Sequence, residues 1–193
     1  LNGRDFTLVR EARDLGGAHA KQIYTDPDGN QWLFKPNDAP FVVHGEEAVY
    51  KVQRLLDPKT PEVRYIEIDG TAGSIQRLVE DASEIGGNVA SLSPADLAAL
   101  QREHVLDWLV SNHDGHHRQF LRDADGRLFG IDKGQAYKFL GDDRLDLTYH
   151  PNTVEMEPFY NILGRAARDG SISLDPEETF RAIRTIEALD DEV

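Results

Sequence analysis

Two stretches of the sequence decide which fold it predicts: SNHDGHHRQF at residues 111–120 and GIDKGQAYKF at residues 130–139. The residues between them form a predicted β-hairpin around the turn Asp125-Gly126. This hairpin brings Asp132 back beside the loop that contains Asp114. Phosphoryl transfer needs a group that orients the attacking hydroxyl and accepts its proton, and side-chain oxygens that hold Mg²⁺ against the phosphates. In this order and spacing, Asp114 fits the first role and Asp132 fits the second.

The same histidine-rich stretch fits two other interpretations. A metal-dependent phosphohydrolase could use it as a ligand set, and the candidate ligands are His113, Asp114, His116 and His117. That class needs further histidines and aspartates on several helices, whereas His19 and His44 lie in predicted loops of a strand-rich region. The third interpretation is a polar loop between a helix and a strand that carries no chemistry.

The composition excludes several classes of protein. The chain of 193 residues contains no cysteine, which rules out disulfides, cysteine–zinc sites and thiol catalysis. The formal net charge of −14 repels nucleic acid and anionic membranes. A nucleotide can still be held locally by a lysine, backbone N–H groups and a divalent metal. No apolar run approaches the roughly 20 residues that span a bilayer, so we expect neither membrane insertion nor a nucleic-acid partner.

The N-terminal residues predict a cytoplasmic location. The segment LNGRDFTLVREARD is mixed and charged, unlike a signal peptide. Because the chain begins with Leu1 instead of methionine, we also expect it to be a domain of a longer protein.

The first part of the sequence predicts strands and one helix. KQIYT and QWLFK are rich in aromatic and β-branched residues, and they flank the turn at residues 26–30, which predicts a hairpin. HGEEAVYKVQRLLD then has apolar residues at helical spacing, and two more strands are predicted around Asp69-Gly70. Lys35 ends the second hairpin strand. A glutamate on the helix, Glu46 or Glu47, could pair with this lysine and direct its ammonium group at nucleotide phosphates.

The second part of the sequence predicts helices. Ser93 as N-cap, Pro94 at the first helical position and Asp96 in the first turn mark the start of a long helix. The expected core face of this helix consists of Leu97, Leu100, Val105, Trp108 and Leu109. Two closing helices are predicted in EPFYNILGRAARDG and SLDPEETFRAIRTIEAL. We therefore expect an α+β chain with a strand-rich N-lobe over residues 1–80 and a helical C-lobe over residues 81–193.

This ordered set of motifs resembles the atypical branch of the protein-kinase-like fold, and most of all the HipA-like and phosphatidylinositol 3- and 4-kinase-like group. The catalytic loop of that group reads D-x-H-x-x-N and its metal motif reads D-x-G; the matching residues here are DGHHRQ and DKG. WLFKP resembles the lysine strand of the group, EAVYKVQRLL its glutamate-bearing helix, and AGSIQRLVED the strand that leads to the hinge. The run DWLVSN to GIDKGQA also resembles kinase-like domains of phage- or toxin-associated proteins.

The resemblance implies a compact two-lobed kinase-like fold that binds ATP and Mg²⁺ between the lobes. It implies transfer of the γ-phosphoryl group to a hydroxyl, with a protein favoured over a lipid as the acceptor. Lys35 would contact the α- and β-phosphates, paired with Glu47, or with Glu46 as the alternative. Asp114 would be the catalytic aspartate, and His116 would support its loop or contact the transferred phosphate. The expected nucleotide contacts are Gly16 and Gly17 over the phosphates and the backbone of Arg77, Leu78, Val79 and Glu80 around the adenine.

The predicted metal site contains one departure from the pattern of the group. Asp132 would be the principal metal ligand, but Gln119 stands where the group has asparagine. The glutamine amide oxygen can bind Mg²⁺, although the extra methylene of glutamine moves this oxygen away from the position it would have in asparagine. A nucleotide-binding pseudokinase or regulatory module therefore stays open as an alternative, as does an AMP-transferring enzyme on the same fold. The acidic segment LGDDRLDLTYHPN takes the place of an activation segment and predicts a solvated loop or a surface that recruits a basic substrate.

Overall fold

The alternation of strand and helix patterns along the chain produces an α+β fold, as predicted. The computed structural model describes residues 2–12, 20–112, 114–137 and 157–189. The strands in these segments are β1 (Thr7–Glu11), β2 (Gln22–Thr25), β3 (Gln31–Pro36), β4 (Val63–Ile68), β5 (Thr71–Arg77), β6 (Ser83–Glu84), β7 (Phe120–Arg122) and β8 (Leu128–Gly130). The α-helices are α1 (Pro40–Leu56), α2 (Pro94–Leu109), α3 (Phe159–Arg168) and α4 (Pro176–Glu187).

A five-stranded antiparallel sheet, in the order β1-β2-β3-β5-β4, forms the frame of the N-terminal part. Both predicted hairpins of this region are confirmed. The β2–β3 turn is held by Asp26, whose carboxylate accepts hydrogen bonds from the Asn30 N–H at 2.8 Å and from the Trp32 indole N–H at 2.9 Å. The β4–β5 turn places Asp69 and Gly70 at φ values of 50° and 79°, both positive as in a two-residue hairpin turn of type I′.

Helix α1 packs against strands β4 and β5. It starts at Pro40, earlier than the predicted helical segment, because proline is well suited to the first helical position. Its buried face includes Val43 and Val49, but also the polar residues Glu46 and Gln53. Polar side chains in such a position need partners, which are Lys35 for Glu46 and Glu103 for Gln53.

Helix α2 begins as predicted, with a capping box. The Ser93 hydroxyl accepts the N–H of Asp96 at 3.2 Å, and the Asp96 carboxylate accepts the N–H of Ser93 at 2.8 Å. Arg122 from β7 adds an ion pair to Asp96 at 2.8 Å. These contacts satisfy N–H groups that have no partner inside the helix and fix the start of α2.

The predicted core face of α2 is correct at its start and wrong at its end. Leu97 and Leu100 are buried, but Trp108 and Leu109 are 48% and 40% exposed. The buried positions in the second half of the helix are Glu103, Leu106 and Asp107, followed by Val110 at the C-cap. These positions recur every three or four residues and so form one face of the helix, and residues 108 and 109 fall outside it.

A three-stranded sheet, β6-β7-β8, and the two closing helices complete the C-terminal part. The predicted β7–β8 hairpin and the helices α3 and α4 are confirmed, and α4 packs on α2. Phe120 and Phe159 lie fully buried in the core of this part. None of the helices in the described segments combines the length and the apolar character needed to cross a membrane. The division of the chain at residue 80 stays a prediction.

Candidate active site

Three charged side chains from distant parts of the sequence meet at one point. The Nζ of Lys35, near the end of β3, lies 2.5 Å from Oε1 of Glu46 on α1 and 3.2 Å from Oδ1 of Asp132, which follows β8. Lys35 and Glu46 are nearly buried, whereas the Asp132 side chain is 40% exposed. The centre of the candidate site is therefore an ammonium group between two carboxylates, one in the interior and one facing solvent.

The prediction that Glu47 pairs with Lys35 is wrong. The Glu47 carboxylate accepts the backbone N–H of Tyr65 at 3.0 Å and lies 3.1 Å from the Nζ of Lys51, one helical turn further on. Consecutive helical residues point about 100° apart, so only one of the two glutamates can face Lys35. Glu46, the alternative, is the one on the buried face of α1, and it takes this position.

The backbone at Asp132 has an uncommon conformation. Its φ of 57° lies in the left-handed region, which aspartate tolerates better than most residues other than glycine. The residue before it is fixed to the neighbouring loop, because the N–H of Ile131 donates to the carbonyl of Gln119 at 2.8 Å. The left-handed turn starts directly after this bond, and the Asp132 carboxylate reaches Lys35 from it.

The three charges change one another's pKa values. The Lys35 ammonium holds the pKa of Asp132 at about 2. Burial alone would lower the pKa of Lys35, but Asp132 and Glu46 outweigh it and raise that pKa above its ordinary value. Burial raises the pKa of Glu46, and the attraction of Lys35 opposes this only in part. At neutral pH, Lys35 is therefore protonated and lies beside the ionised, solvent-facing carboxylate of Asp132.

The loop between α2 and β7 brings the predicted catalytic residues together. The Gln119 amide nitrogen donates to Oδ2 of Asp114 at 3.3 Å and lies 3.4 Å from Nε2 of His116. The Nδ1 of His116 accepts the backbone N–H of Arg118 at 3.2 Å. A short 3₁₀ turn, His117–Gln119, bends the loop so that these side chains face one another. The imidazole of His116 is thus held by contacts on both of its ring nitrogens.

Burial governs the acid–base properties of this loop. It raises the pKa of Asp114; the nearby His116 opposes the rise, and the charge of Asp132 adds to it. Burial also lowers the pKa of His116. A carboxylate with a raised pKa is a better proton acceptor than an ordinary one.

The segment expected to hold adenine is partly engaged within the protein. The N–H groups of Arg77 and Leu78 donate to backbone carbonyls of neighbouring segments at 2.7 and 2.9 Å. Their backbone donors are therefore not available for a base. For the backbone N–H groups of Val79 and Glu80, an adenine contact stays a prediction.

Sequence analysis missed one lysine at this site, Lys21. Lys21 directly precedes β2, the neighbour of the strand that contains Lys35. Its charge contributes to the low pKa of Asp132. The position of Lys21 next to a predicted hairpin strand was the only sequence signal for this lysine.

Some predicted residues cannot be placed. Gly16, Gly17 and His113 lie outside the described residues, as does the acidic segment at 140–152. Over the part of the chain that is described, no group of three or more histidine, aspartate and glutamate side chains is placed to hold a metal ion.

Comparison with known proteins supports the fold alone. No protein-family model and no curated protein sequence matches this chain. Among solved structures, the chain is similar to the Helicobacter pylori proinflammatory kinase CtkA, with a TM-score of 0.54 and 13% identity. The alignment covers 96% of this chain and 97% of that one. The predicted fold class is therefore confirmed: the chain has a kinase-like α+β fold.

Proposed function

We propose that this protein is an ATP- and Mg²⁺-dependent phosphotransferase of the atypical kinase type, which transfers the γ-phosphoryl group to a hydroxyl on a protein. The observation that carries the proposal is the Lys35 ammonium, 2.5 Å from Glu46 and 3.2 Å from Asp132. In phosphoryl transfer by kinases, a strand lysine held by a helix glutamate contacts phosphates, and a nearby aspartate holds the metal. The kinase-like fold supports the same conclusion.

Each residue has a role that follows from its surroundings. Lys35, oriented by Glu46, neutralises phosphate charge, and Lys21 adds a second positive charge that acts on Asp132. Asp114 orients the acceptor hydroxyl and takes its proton, for which its raised pKa is favourable. His116 holds the loop that carries Asp114. Most of the rate gain would come from positioning and from electrostatic stabilisation.

Asp132 has the properties of a Mg²⁺ ligand. It is an oxygen donor with a pKa of about 2, and its side chain is 40% exposed. Mg²⁺ in such sites is bound through one or two carboxylates together with the phosphates of the nucleotide, so a large cluster of protein ligands is not required. Gln119 is the second proposed ligand. Asp132 and Gln119 would hold the ion, which would supply positive charge against the negative charge of the phosphates.

The placement within a kinase group and the choice of acceptor are also part of the proposal. The D-x-H-x-x-Q and D-x-G motifs favour the HipA-like and phosphatidylinositol 3- and 4-kinase-like group. A protein acceptor is favoured over a lipid because the net charge of −14 repels anionic membrane surfaces.

One observation favours a second function, nucleotide binding without turnover. Gln119 replaces the expected asparagine, and its amide nitrogen donates to the Asp114 carboxylate at 3.3 Å. Through this contact Gln119, the proposed metal ligand, donates a hydrogen bond to Asp114, the proposed proton acceptor. A pseudokinase or regulatory module would retain the charges of Lys35 and Asp132 but lack transfer.

Intact mass and thermal stability, measured on the same samples, separate these functions. The wild type, Asp132→Ala and the control Asp125→Ala are incubated with ATP and Mg²⁺, alone or with casein as the acceptor, and parallel samples contain EDTA. Asp125 is a suitable control because its side chain is 83% exposed on the β7–β8 turn. We expect Mg²⁺–ATP to stabilise the wild type and Asp125→Ala, and the mass of one phosphate to appear on the protein or on casein.

The remaining outcomes identify the alternatives. Stabilisation without a change in either mass would support the pseudokinase. A larger mass gain, equal to that of an AMP group, would support nucleotide binding at this site but identify the reaction as AMP transfer. Absence of nucleotide-dependent stabilisation in the wild type, or an equal response of Asp132→Ala, would refute the proposed function.

A further inference from the structure

A second group of buried charges begins one residue after Asp132. Lys133 has a side chain that is only 5% exposed. Its Nζ lies 2.6 Å from Oδ1 of Asp107 and 2.9 Å from Oε2 of Glu103, and both carboxylates belong to the buried face of α2. Lysine, aspartate and glutamate are almost never fully buried unless they are paired. This cluster therefore fixes the segment after β8 to α2 by charge.

The same cluster contacts the loop that carries the proposed catalytic residues. Asp107 accepts hydrogen bonds from the Tyr160 hydroxyl at 2.6 Å and from the Asn112 amide at 3.0 Å. Gly115, next to Asp114, lies so close that a Cβ at this position would be 2.9 Å from the Tyr160 ring and 3.2 Å from Oδ2 of Asp107. Only glycine leaves this approach open, so the position of the loop depends on the cluster.

The cluster also reaches helix α1. The Gln53 amide donates to Oε1 of Glu103 at 2.6 Å and to the carbonyl of Gly130 at 3.0 Å. Gln53 follows Glu46 by two helical turns, so both side chains lie on one side of α1. Helix α1 is thus attached twice to the short segment at 130–133, through Glu46 and Lys35 at one end and through Gln53 at the other.

We propose that Lys133 is a positioning residue for Asp132 and Asp114, which fixes both carboxylates in the geometry needed for Mg²⁺-dependent nucleotide binding. The inference rests on the proposed function. Lys133 holds the backbone directly after the left-handed Asp132, and this keeps the Asp132 carboxylate directed at Lys35. Through Asp107, it holds the loop of Asp114. Lys133 itself contacts neither the metal nor the phosphates.

A simpler role for Lys133 is to neutralise two buried carboxylates, and a double variant separates the two roles. Lys133→Met leaves Glu103 and Asp107 without their cation. Adding Glu103→Gln removes one negative charge for the positive charge that was lost, so the net charge of the cluster returns to its original value. If Lys133 only balances charge, the double variant recovers both stability and Mg²⁺-dependent ATP binding. If Lys133 acts by position, the double variant recovers stability alone.

The readout is the gain in ATP affinity caused by Mg²⁺, measured by calorimetry as the ratio of affinities with Mg²⁺ and with EDTA. Thermal unfolding of each variant is recorded in parallel, and folding at the titration temperature is checked by circular dichroism. Arg122→Met is the control for general loss of stability, because it breaks the ion pair to buried Asp96 on the same helix at 2.8 Å. Partners that orient metal ligands typically change metal affinity by about 10- to 100-fold.

We expect the Mg²⁺-dependent gain in ATP affinity to be at least about tenfold smaller in Lys133→Met and in Lys133→Met/Glu103→Gln than in the wild type. Their affinities for ATP in EDTA should stay within about twofold of the wild type, and Arg122→Met should retain the full gain. Recovery of the gain in the double variant, or no loss in Lys133→Met, would overturn the positioning role and leave the proposed function intact. A wild type without any Mg²⁺-dependent gain would overturn both.

Discussion

Replacing Glu46 by glutamine should weaken the fold and the nucleotide site, whereas the same change at Glu47 should affect neither strongly. Glu46 is 6% exposed and lies 2.5 Å from the Lys35 ammonium. Removing one partner of a buried ion pair costs about 3–5 kcal/mol when the other charge is left alone. Lys35 keeps Asp132 at 3.2 Å, so we expect about half of that cost, ~2 kcal/mol.

Glu47 provides a matched comparison on the next residue of the same helix. Its ion pair with Lys51 is partly exposed, since the lysine side chain is 62% and the glutamate 20% accessible, and glutamine keeps an oxygen that can accept the Tyr65 N–H. Exposed pairs contribute about 0.2–1 kcal/mol, so Glu47→Gln should remain within that range. Urea unfolding of both variants measures the difference in the free energy of unfolding.

The nucleotide site should follow the same order. Without Glu46, the Lys35 side chain is no longer held by α1 and shifts towards Asp132. The contact between the Lys35 ammonium and the phosphates should weaken, and we expect ATP affinity with Mg²⁺ to fall by at least about tenfold in Glu46→Gln, which corresponds to about 1.4 kcal/mol. Calorimetry checks this value. Equal effects of the two substitutions, or a larger effect of Glu47→Gln, would refute the assignment of Glu46 as the partner of Lys35.

Three further predictions concern the packing and capping of the fold. Gly130→Ala should destabilise the protein by about 1–3 kcal/mol in urea unfolding, because its methyl group would overlap Glu103 and lie 2.7 Å from the Nζ of Lys133. Gly87→Ala, where nothing lies within 4 Å, should change stability by less than about 0.5 kcal/mol, and similar losses at both glycines would contradict this. Ser93→Ala removes the side-chain half of the α2 capping box and should cost about 1 kcal/mol in the same assay; no loss would mean that the cap is dispensable. Burial alone would raise the pKa of Asp96, but hydrogen bonds from Ser93 and the charge of Arg122 hold it below its ordinary value of 3.8. The wild type should therefore lose stability relative to Asp96→Asn as the pH falls below about 4, and parallel pH profiles of unfolding would argue against this linkage.

The parts of the fold that were predictable from sequence depend on local chemistry. The Asp26 turn, the Asp69-Gly70 turn and the Ser93 cap are each specified by residues close together in the chain, and the structure contains all three. The order of the strands and helices followed from these local signals and from hydrophobic spacing. The candidate site was partly predictable, because Lys35 was identified from its strand and Asp132 from its place after the hairpin, and the structure brings these two side chains together.

The parts that sequence analysis missed depend on the rotation of helices and on distant partners. Adjacent Glu46 and Glu47 are chemically identical, and only the packing of α1 decides which one faces Lys35. Hydropathy assigns Trp108 to the core, but the structure exposes it and buries Asp107 next to it. Lys133, far along the chain, supplies the partner that makes burial of Asp107 possible. A pattern of single residues does not contain that pairing.

The double attachment of helix α1 has a consequence for how sequences with this fold can vary. Glu46 and Gln53 are seven residues apart, a spacing that returns to nearly the same helical face. One inserted or deleted residue between them would rotate one anchor by about 100° relative to the other and detach at least one of them. The stretch between the anchors should therefore tolerate no change in length, and its variation should be confined to exposed positions such as Lys51. In an alignment of related chains, this seven-residue interval should stand out as a segment without gaps.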